Sequence, residues 1–558
     1  MAPESTFLSL PRELRDEIYS NYVTTDCGYV CNSEILISRT LNLNSSGSTD
    51  AQLGIAGVLK RGDGLPIDLR LSLTCKLVAK EMSGLALRKN TIIFSTATSE
   101  ELRILALHFD ILIKDLDSSQ EFLFHRAGYT IPANARDKLR LAYPQFAPLL
   151  DDLKEGYERA DILKRRGPFG EAPSQYRAFC RKALATISAA DIGRGIYKDY
   201  VLWASRRRAF SQNQPYNALK IAQCPADHWF IPSKDDMESL THCFEMRRYS
   251  FKWAKTRKNR FNYRFSAAAV AIHFQRSMPE RLRGQLRSIV LDEDHEAVAK
   301  PQCHALGLIP FCKQNPRLRI ERRVNLWRNA LQPDSNFHVP YARYQAKFRN
   351  TRETPVPWGL EAKQVTSNVS QWIMEALALV PAGMPPASFA LVLDGQPVPQ
   401  LCAEIFQRTI QRDVAWQAAW FESVDRGIVP ATEWFLTRSI VFHTIQVGRE
   451  TGYFYRGFPR AMIDVVEGNS IVKCNFDPGE LWNVERIFQD HHTWTPEQWQ
   501  DAWANHEPKT WFPVAPLPSF KALLEEDLVP RLRRKSLRQK RKQIVAERRL
   551  SPDHEYRP

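Results

Sequence analysis

Between Phe7 and Val23 the chain reads FLSLPRELRDEIYSNYV, and in it Leu10, Leu14, Ile18 and Tyr22 recur every four positions. That period fits a helix and no strand. It gathers the four side chains into one apolar stripe and leaves Arg12, Glu13, Arg15, Asp16 and Glu17 elsewhere on the surface. Pro11 suits the first helical position, where its missing N–H costs nothing. Two readings of the stripe are open. It is core, with each buried side chain worth about 1.5 to 3 kcal/mol, or it is a docking face for another protein.

The word Leu-Pro-x-Glu-Leu-x-x-x-Ile-aromatic, running from Leu10 to Tyr19, resembles the opening helix of an F-box. A second segment, Leu69 to Phe94, is similar to the remainder of an F-box-like motif found in many filamentous-fungal proteins. Leu71, Leu73, Cys75, Lys76 and Glu81 match its Leu-rich helix, and Asn90, Thr91 and Phe94 its following strand. The resemblance implies a Skp-type adaptor protein as partner, docked on Leu10, Pro11, Leu14, Ile18 and Tyr22. It also implies an unknown protein client tied through the adaptor to a cullin-based ubiquitin ligase. Between the two halves lies a polar insertion, residues 24–66, which a compact F-box lacks. Phe265 to Asn329 resembles a segment that recurs in uncharacterised proteins of the same kind, and brings no chemistry with it.

A chain of 558 residues, 44% hydrophobic and 25% charged, is ordinary globular material with room for several units. Its net charge of +15 is concentrated rather than spread. Arg531 to Arg549 carries ten Lys/Arg against one acid, Glu547. Arg531, Arg533, Arg534, Lys535, Arg538, Lys540, Arg541 and Lys542 therefore form a candidate import signal or phosphate-contacting helix, against the alternative of a solvated tail. With that tail goes a rival functional reading, a nuclear protein that contacts nucleic acid and whose F-box-like helix is only structural. Ten cysteines without a repeated spacing point to a reducing compartment. The start MAPESTFLSL is unlike a signal peptide, and the longest apolar run, Ala267 to Ile272, is far short of a bilayer span. The expectation is an intracellular protein, nuclear or cytoplasmic or both, with no membrane partner.

The expected class is α+β, predominantly helical with small sheets. The expected divisions are an F-box-like module at 1–97 with the insertion, a helical to α+β middle region at 98–332, a linker at 333–357, an α+β unit at 358–518 and a basic tail at 519–558. Helices are expected over Ser99–Leu116, Ala147–Arg166, Ser174–Phe210, Ala267–Gln275, Asn368–Leu379, Ala403–Phe421 and, in one piece, Ser519–Leu550. Strands are expected at Ser288–Leu291, Leu318–Leu326, Phe389–Leu393, Ile440–Ile445 and Ile471–Cys474. A helix followed by Leu-Arg and a strand occurs twice, at Leu286-Arg287 and Leu318-Arg319. Two copies are too few to define a solenoid.

Cys243 to Phe265 interleaves eight Lys/Arg with seven aromatics, a mixture that single-stranded nucleic acid can use. Phe261, Tyr263 and Phe265, however, alternate with Asn262 and Arg264 in the period of a strand, which places the aromatics inside and the polar residues in water. Cys303-His304 with Cys312, the run Asp292 to Glu296, and His491-His492 are the ligand-like clusters. None has zinc spacing, so no metal and no cofactor is expected. No phosphate-cradling glycine loop, nucleophile elbow or metalloprotease helix is present, and a binding protein is preferred to an enzyme.

Overall fold

The computed structural model describes residues 7–33, 37, 58–154, 170–189, 218–225, 227–244, 261–332, 359–429 and 455–529. At the N-terminus, helix α1 (Arg12–Val23) leads through Gly28 to strand β1 (Tyr29–Cys31). Gly28 has φ of +62°, and a Cβ there would lie 2.6 Å from the Thr91 carbonyl oxygen, so only glycine fits. Strand β2 (Leu59–Arg61) returns antiparallel to β1. The expected insertion thus supplies a strand pair to the main sheet. Helices α2 (Lys76–Met82) and α3 (Leu85–Lys89) then run into β3 (Thr91–Ser95).

The middle of the chain contributes α4 (Glu100–Ala127), α5 (Pro173–Ala189) and α6 (Ala267–Ser277), followed by β4 (Ser288–Glu293) and β5 (Arg319–Asn325). Ser99 caps α4 by accepting the Leu102 N–H, and Leu102, Phe109 and Leu112 are buried on its core side. Helix α6 is capped twice. Ser266 accepts the Ala269 N–H, and the Glu293 carboxylate accepts those of Ala267 and Ala268 at 3.0 and 3.2 Å. A carboxylate at that helix end also meets the positive end of the dipole.

The C-terminal part adds β6 (Leu360–Glu361), α7 (Ala362–Leu377), β7 (Phe389–Asp394), α8 (Gln411–Asp425) and β8 (Val472–Cys474). Helix α9 (Pro496–Ala504), strand β9 (Thr510–Trp511) and helix α10 (Phe520–Glu526) complete it. The helix expected over Ala403–Phe421 is interrupted by a π-helical turn at Phe406–Ile410. Helix α10 ends at Glu526, so residues 519–526 are not the start of one long helix in a tail. Phe520 is buried and stacks on Trp327 with centroids 5.0 Å apart, which makes this stretch part of the core.

The fold is α+β, with a seven-stranded sheet and a two-stranded β6–β9 pair. The large sheet runs β2-β1-β3-β4-β5-β7-β8, and every neighbour from β1 onward is parallel. Among the parallel strands, β1-β3-β4-β5-β7-β8, the order never reverses. Right-handed crossovers in such an order all fall on the same face, whereas a doubly wound sheet reverses and covers both. The strands record the asymmetry: Ile92, Phe94, Ile289, Leu291, Ile320, Val324, Leu391 and Leu393 are buried, while the alternate positions Ile93, Val290, Asp292, Glu321 and Val392 are half-buried and Arg323 is exposed. The two Leu-Arg-strand passages become neighbours, Ser288 lying beside Arg319. Asn315 links them by donating from Nδ2 to the carbonyls of Arg283 and Leu286 at 3.1 and 2.8 Å. Because this sheet draws strands from the expected units 1–97, 98–332 and 358–518 alike, those divisions do not separate independent cores. Among the described residues no helix is long and apolar enough to cross a membrane.

Candidate functional site

The N-terminal unit has a small core of its own, Tyr19, Val23, Val78, Met82 and Leu85, with Phe7, Leu71 and Cys75 against it. Helix α1 faces that core with Tyr19 and Val23, and beside them with Arg12 and Arg15. Glu81, at the end of α2, is the organising group. It receives Arg15 from Nε at 3.1 Å and Nη2 at 2.7 Å, Arg12 from Nη1 at 2.6 Å and the Tyr19 hydroxyl at 2.8 Å. The Arg15 hydrogen bonds, with help from Tyr19 and Arg12, hold the Glu81 carboxyl down at about 2. Arg15 also donates to the Leu10 carbonyl at 2.5 Å, closing the turn before the helix. Asn90, buried in front of β3, donates to the Val23 and Ala86 carbonyls at 2.9 Å and accepts the Thr25 N–H. It thereby ties α1, α3 and the sheet together.

With Arg12, Arg15 and Tyr19 facing α2, the four-residue stripe faces out. Leu14 is 48% exposed, Ile18 41% and Tyr22 36%. Leu10 is half-buried, and exposed Pro11 stands at the N-cap rather than at the first helical position. Of the two readings open for this stripe, the exposure of Leu14, Ile18 and Tyr22 argues against core. Sequence periodicity could not decide it, because an apolar stripe is equally regular whichever way it points. Tyr22 accepts the Leu71 N–H at 3.4 Å, which sets the turn bearing exposed Leu69 and Leu73 beside the outer side of α1. Of fifteen large apolar side chains exposed among the described residues, eight fall between Leu8 and Leu77, so the exposure belongs to this unit rather than to the surface at large. Leu65, Leu69, Leu73 and Leu77 are members that sequence reasoning did not place at an interface, although the Leu-rich spacing of 69–77 carried the signal.

The other sequence candidates lie elsewhere. Phe261, Tyr263 and Phe265 are buried at 2% exposure or less, as expected from their alternation, though in place of a strand Phe261 and Phe265 form isolated bridges to Leu528 and Ala97. Arg264 is not in water: it is buried and pairs with Asp527 at 2.6 Å. Residues 245–260 of that segment, the expected strand at 440–445 and the whole of Arg531, Arg533, Arg534, Lys535, Arg538, Lys540, Arg541 and Lys542 lie outside the described residues.

Cys303, His304 and Cys312 are all buried. Burial pushes the Cys303 thiol to about 11 and that of Cys312 to about 12, which keeps both protonated and unreactive. His304 and Ser266 are 2.7 Å apart, the contact of a nucleophile and base. They are sealed in the core, however. Ser266 serves as the α6 cap, and the second His304 nitrogen is bonded to the Ala299 carbonyl at 2.8 Å. His492 is exposed and meets the Gln489 carbonyl, while His491 stacks on Trp494. Among the described residues no group of three or more His, Cys, Asp or Glu side chains could hold a metal ion. The strongest assembly for function is thus a surface, built from α1 and the 65–77 segment. Comparison of the chain with protein-family models, curated proteins and solved structures finds no match.

Proposed function

We propose that this protein is an F-box-type interaction protein: its N-terminal unit docks a Skp-type adaptor on the outer face of α1, and the remainder carries a protein client for a cullin-based ubiquitin ligase. The observation that carries the reading is the outward apolar stripe of α1. A lone surface helix of a folded protein turns its apolar stripe inward. Here the inward side already has Tyr19 and Val23 in the local core beside an ionic and hydrogen-bonded contact through Glu81, and Leu14, Ile18 and Tyr22 are a second apolar set left in solvent. Contiguous exposed apolar surface of this sort marks protein interaction sites. The magnitudes agree with a multi-residue interface. Full burial of each such side chain contributes about 1.5 to 3 kcal/mol, while association costs about 4 to 15 kcal/mol, so most of the set must be engaged together. The half-buried sheet face, six parallel strands wide, offers a surface for the client.

The test uses purified full-length protein and a purified Skp-type adaptor on a sizing column. A complex is expected with the native chain and none with Leu14→Asp combined with Ile18→Asp. The double variant should melt within about 1 kcal/mol of the native chain, since surface substitutions usually change stability by less than about 0.5 kcal/mol each. Failure of the native chain to bind, or binding that survives the double substitution, would rule the adaptor reading out.

A further inference from the structure

A cavity of about 270 Å³ opens between α4, α5 and α7, with Asp117, Glu121, Tyr176, Arg177, Lys300 and Gln371 on its wall. It lies far along the chain from the N-terminal unit, and the proposed interface makes no use of it. The ionic arrangement is lopsided. Asp117 Oδ2 takes Lys300 at 2.5 Å and His228 at 2.8 Å, while Arg177 and Arg181 come no closer to Asp117 than 3.9 and 3.8 Å. Arg177 meets its second carboxylate, Glu375, only at 3.7 Å, and Glu375 is not on the wall. Its guanidinium is nonetheless largely withdrawn from water, with a side-chain exposure of 11%. A buried guanidinium is costly without hydrogen-bonded oxygens, and here neither carboxylate lies within hydrogen-bond distance. Burial keeps His228 uncharged at neutral pH by lowering its pKa to about 4, so the cations around Asp117 are Arg177, Arg181 and Lys300.

We propose that this cavity binds a small phosphorylated molecule, its phosphate held by Arg177 and Lys300. A guanidinium presents planar, forked donors that match phosphate oxygens, and the ammonium adds a point charge. The volume is just below the range of about 300 to 1,000 Å³ usual for small-molecule sites, which limits the ligand to a phosphate on a small scaffold. Asp117 and Glu121 on the same wall provide acceptors for the hydroxyl or amino groups of that scaffold.

The experiment titrates the full-length chain with inorganic phosphate and pyrophosphate by calorimetry, at ionic strength fixed with chloride. Saturable binding is expected. Gln371→Glu places a negative charge on the wall and should weaken binding by about tenfold or more. Arg177→Lys, which keeps the charge but loses the fork, should weaken it as well. No saturable binding would overturn the proposal. So would binding indifferent to Gln371→Glu, which would locate the phosphate on the basic segment at 531–549, and so would succinate binding as tightly as phosphate.

Discussion

Glu81 shows how much one side chain can organise. Its folded pKa of about 2 lies below the usual 4.5, so its contribution to stability is present above about pH 4.5 and is lost as pH falls toward 2. Melting of the N-terminal unit, followed by hydrogen exchange of α1, should weaken across that window, and Glu81→Gln should flatten the dependence. Asp292 has the opposite sign. On the half-buried sheet face, burial and the neighbouring Asp294, Glu293 and Asp394 raise its carboxyl from 3.8 to about 6. The charged form it carries at neutral pH is a cost, absent below 3.8 and complete once pH passes 6. Asp292→Asn should therefore stabilise the protein at pH 7 by about 1 to 2 kcal/mol, with part of the two-unit shift discounted for solvent screening, and the gain should vanish in melts near pH 4. In the core, Arg322 at 1% exposure pairs with Glu293 at 2.6 Å and stacks over Trp372. Arg322→Ala should cost about 3 to 5 kcal/mol in denaturant unfolding, because it strands a buried carboxylate. The sequence marked Glu81 through its motif. Nothing in it distinguished Arg264 or Arg322 from solvated arginines, since their acids lie 263 and 29 positions away.

At the scale of elements, local period was a good guide to type and a poor one to direction. Helices α4, α6 and α7 and strands β4, β5 and β7 all overlap their expected positions, because each carries a strong 3.6- or 2-residue pattern. The stripe on α1 was as legible, yet the side that met the rest of the protein was the one bearing Tyr19 and Val23 and an ion pair to Glu81, 66 residues distant. Phe261 to Phe265 shows the same limit. Alternation placed the aromatics inside, but the partners Ala97 and Leu528 come from opposite ends of the chain. Phe261→Ala and Tyr263→Ala should each cost about 3 to 5 kcal/mol in equilibrium unfolding, the usual loss for a buried aromatic. Because Phe261 bridges Leu528, the first substitution should also loosen α10, seen as faster exchange of its amides.

At the scale of the whole molecule, the order of the sheet was not legible. The repeat at Leu286 and Leu318 captured one pair of adjacent strands, but β3 and β4 pair across 197 positions, and no periodicity reaches so far. The expected boundary after 332 likewise falls between the parallel partners β5 and β7. A fragment 1–332 would leave the β5 edge unpaired, and should aggregate or fail to give a cooperative melt in calorimetry. The basic segment gives a different prediction: truncation after Val529 should move the protein from nucleus to cytoplasm in live-cell imaging, and should remove most of the salt-dependent, sequence-indifferent affinity for nucleic acid. The unreversed strand order also bears on how such a chain can change over generations. Each parallel strand after β1 joins the large sheet at the same growing edge, and right-handed crossovers in that order pass over one face. Additions of almost any length there leave the hydrogen-bonded ladder intact, and a further coil could be appended beyond the three-residue strand β8 without displacing an existing one. In an architecture of this kind, insertions and deletions would vary the helical back while the strand register stayed the same.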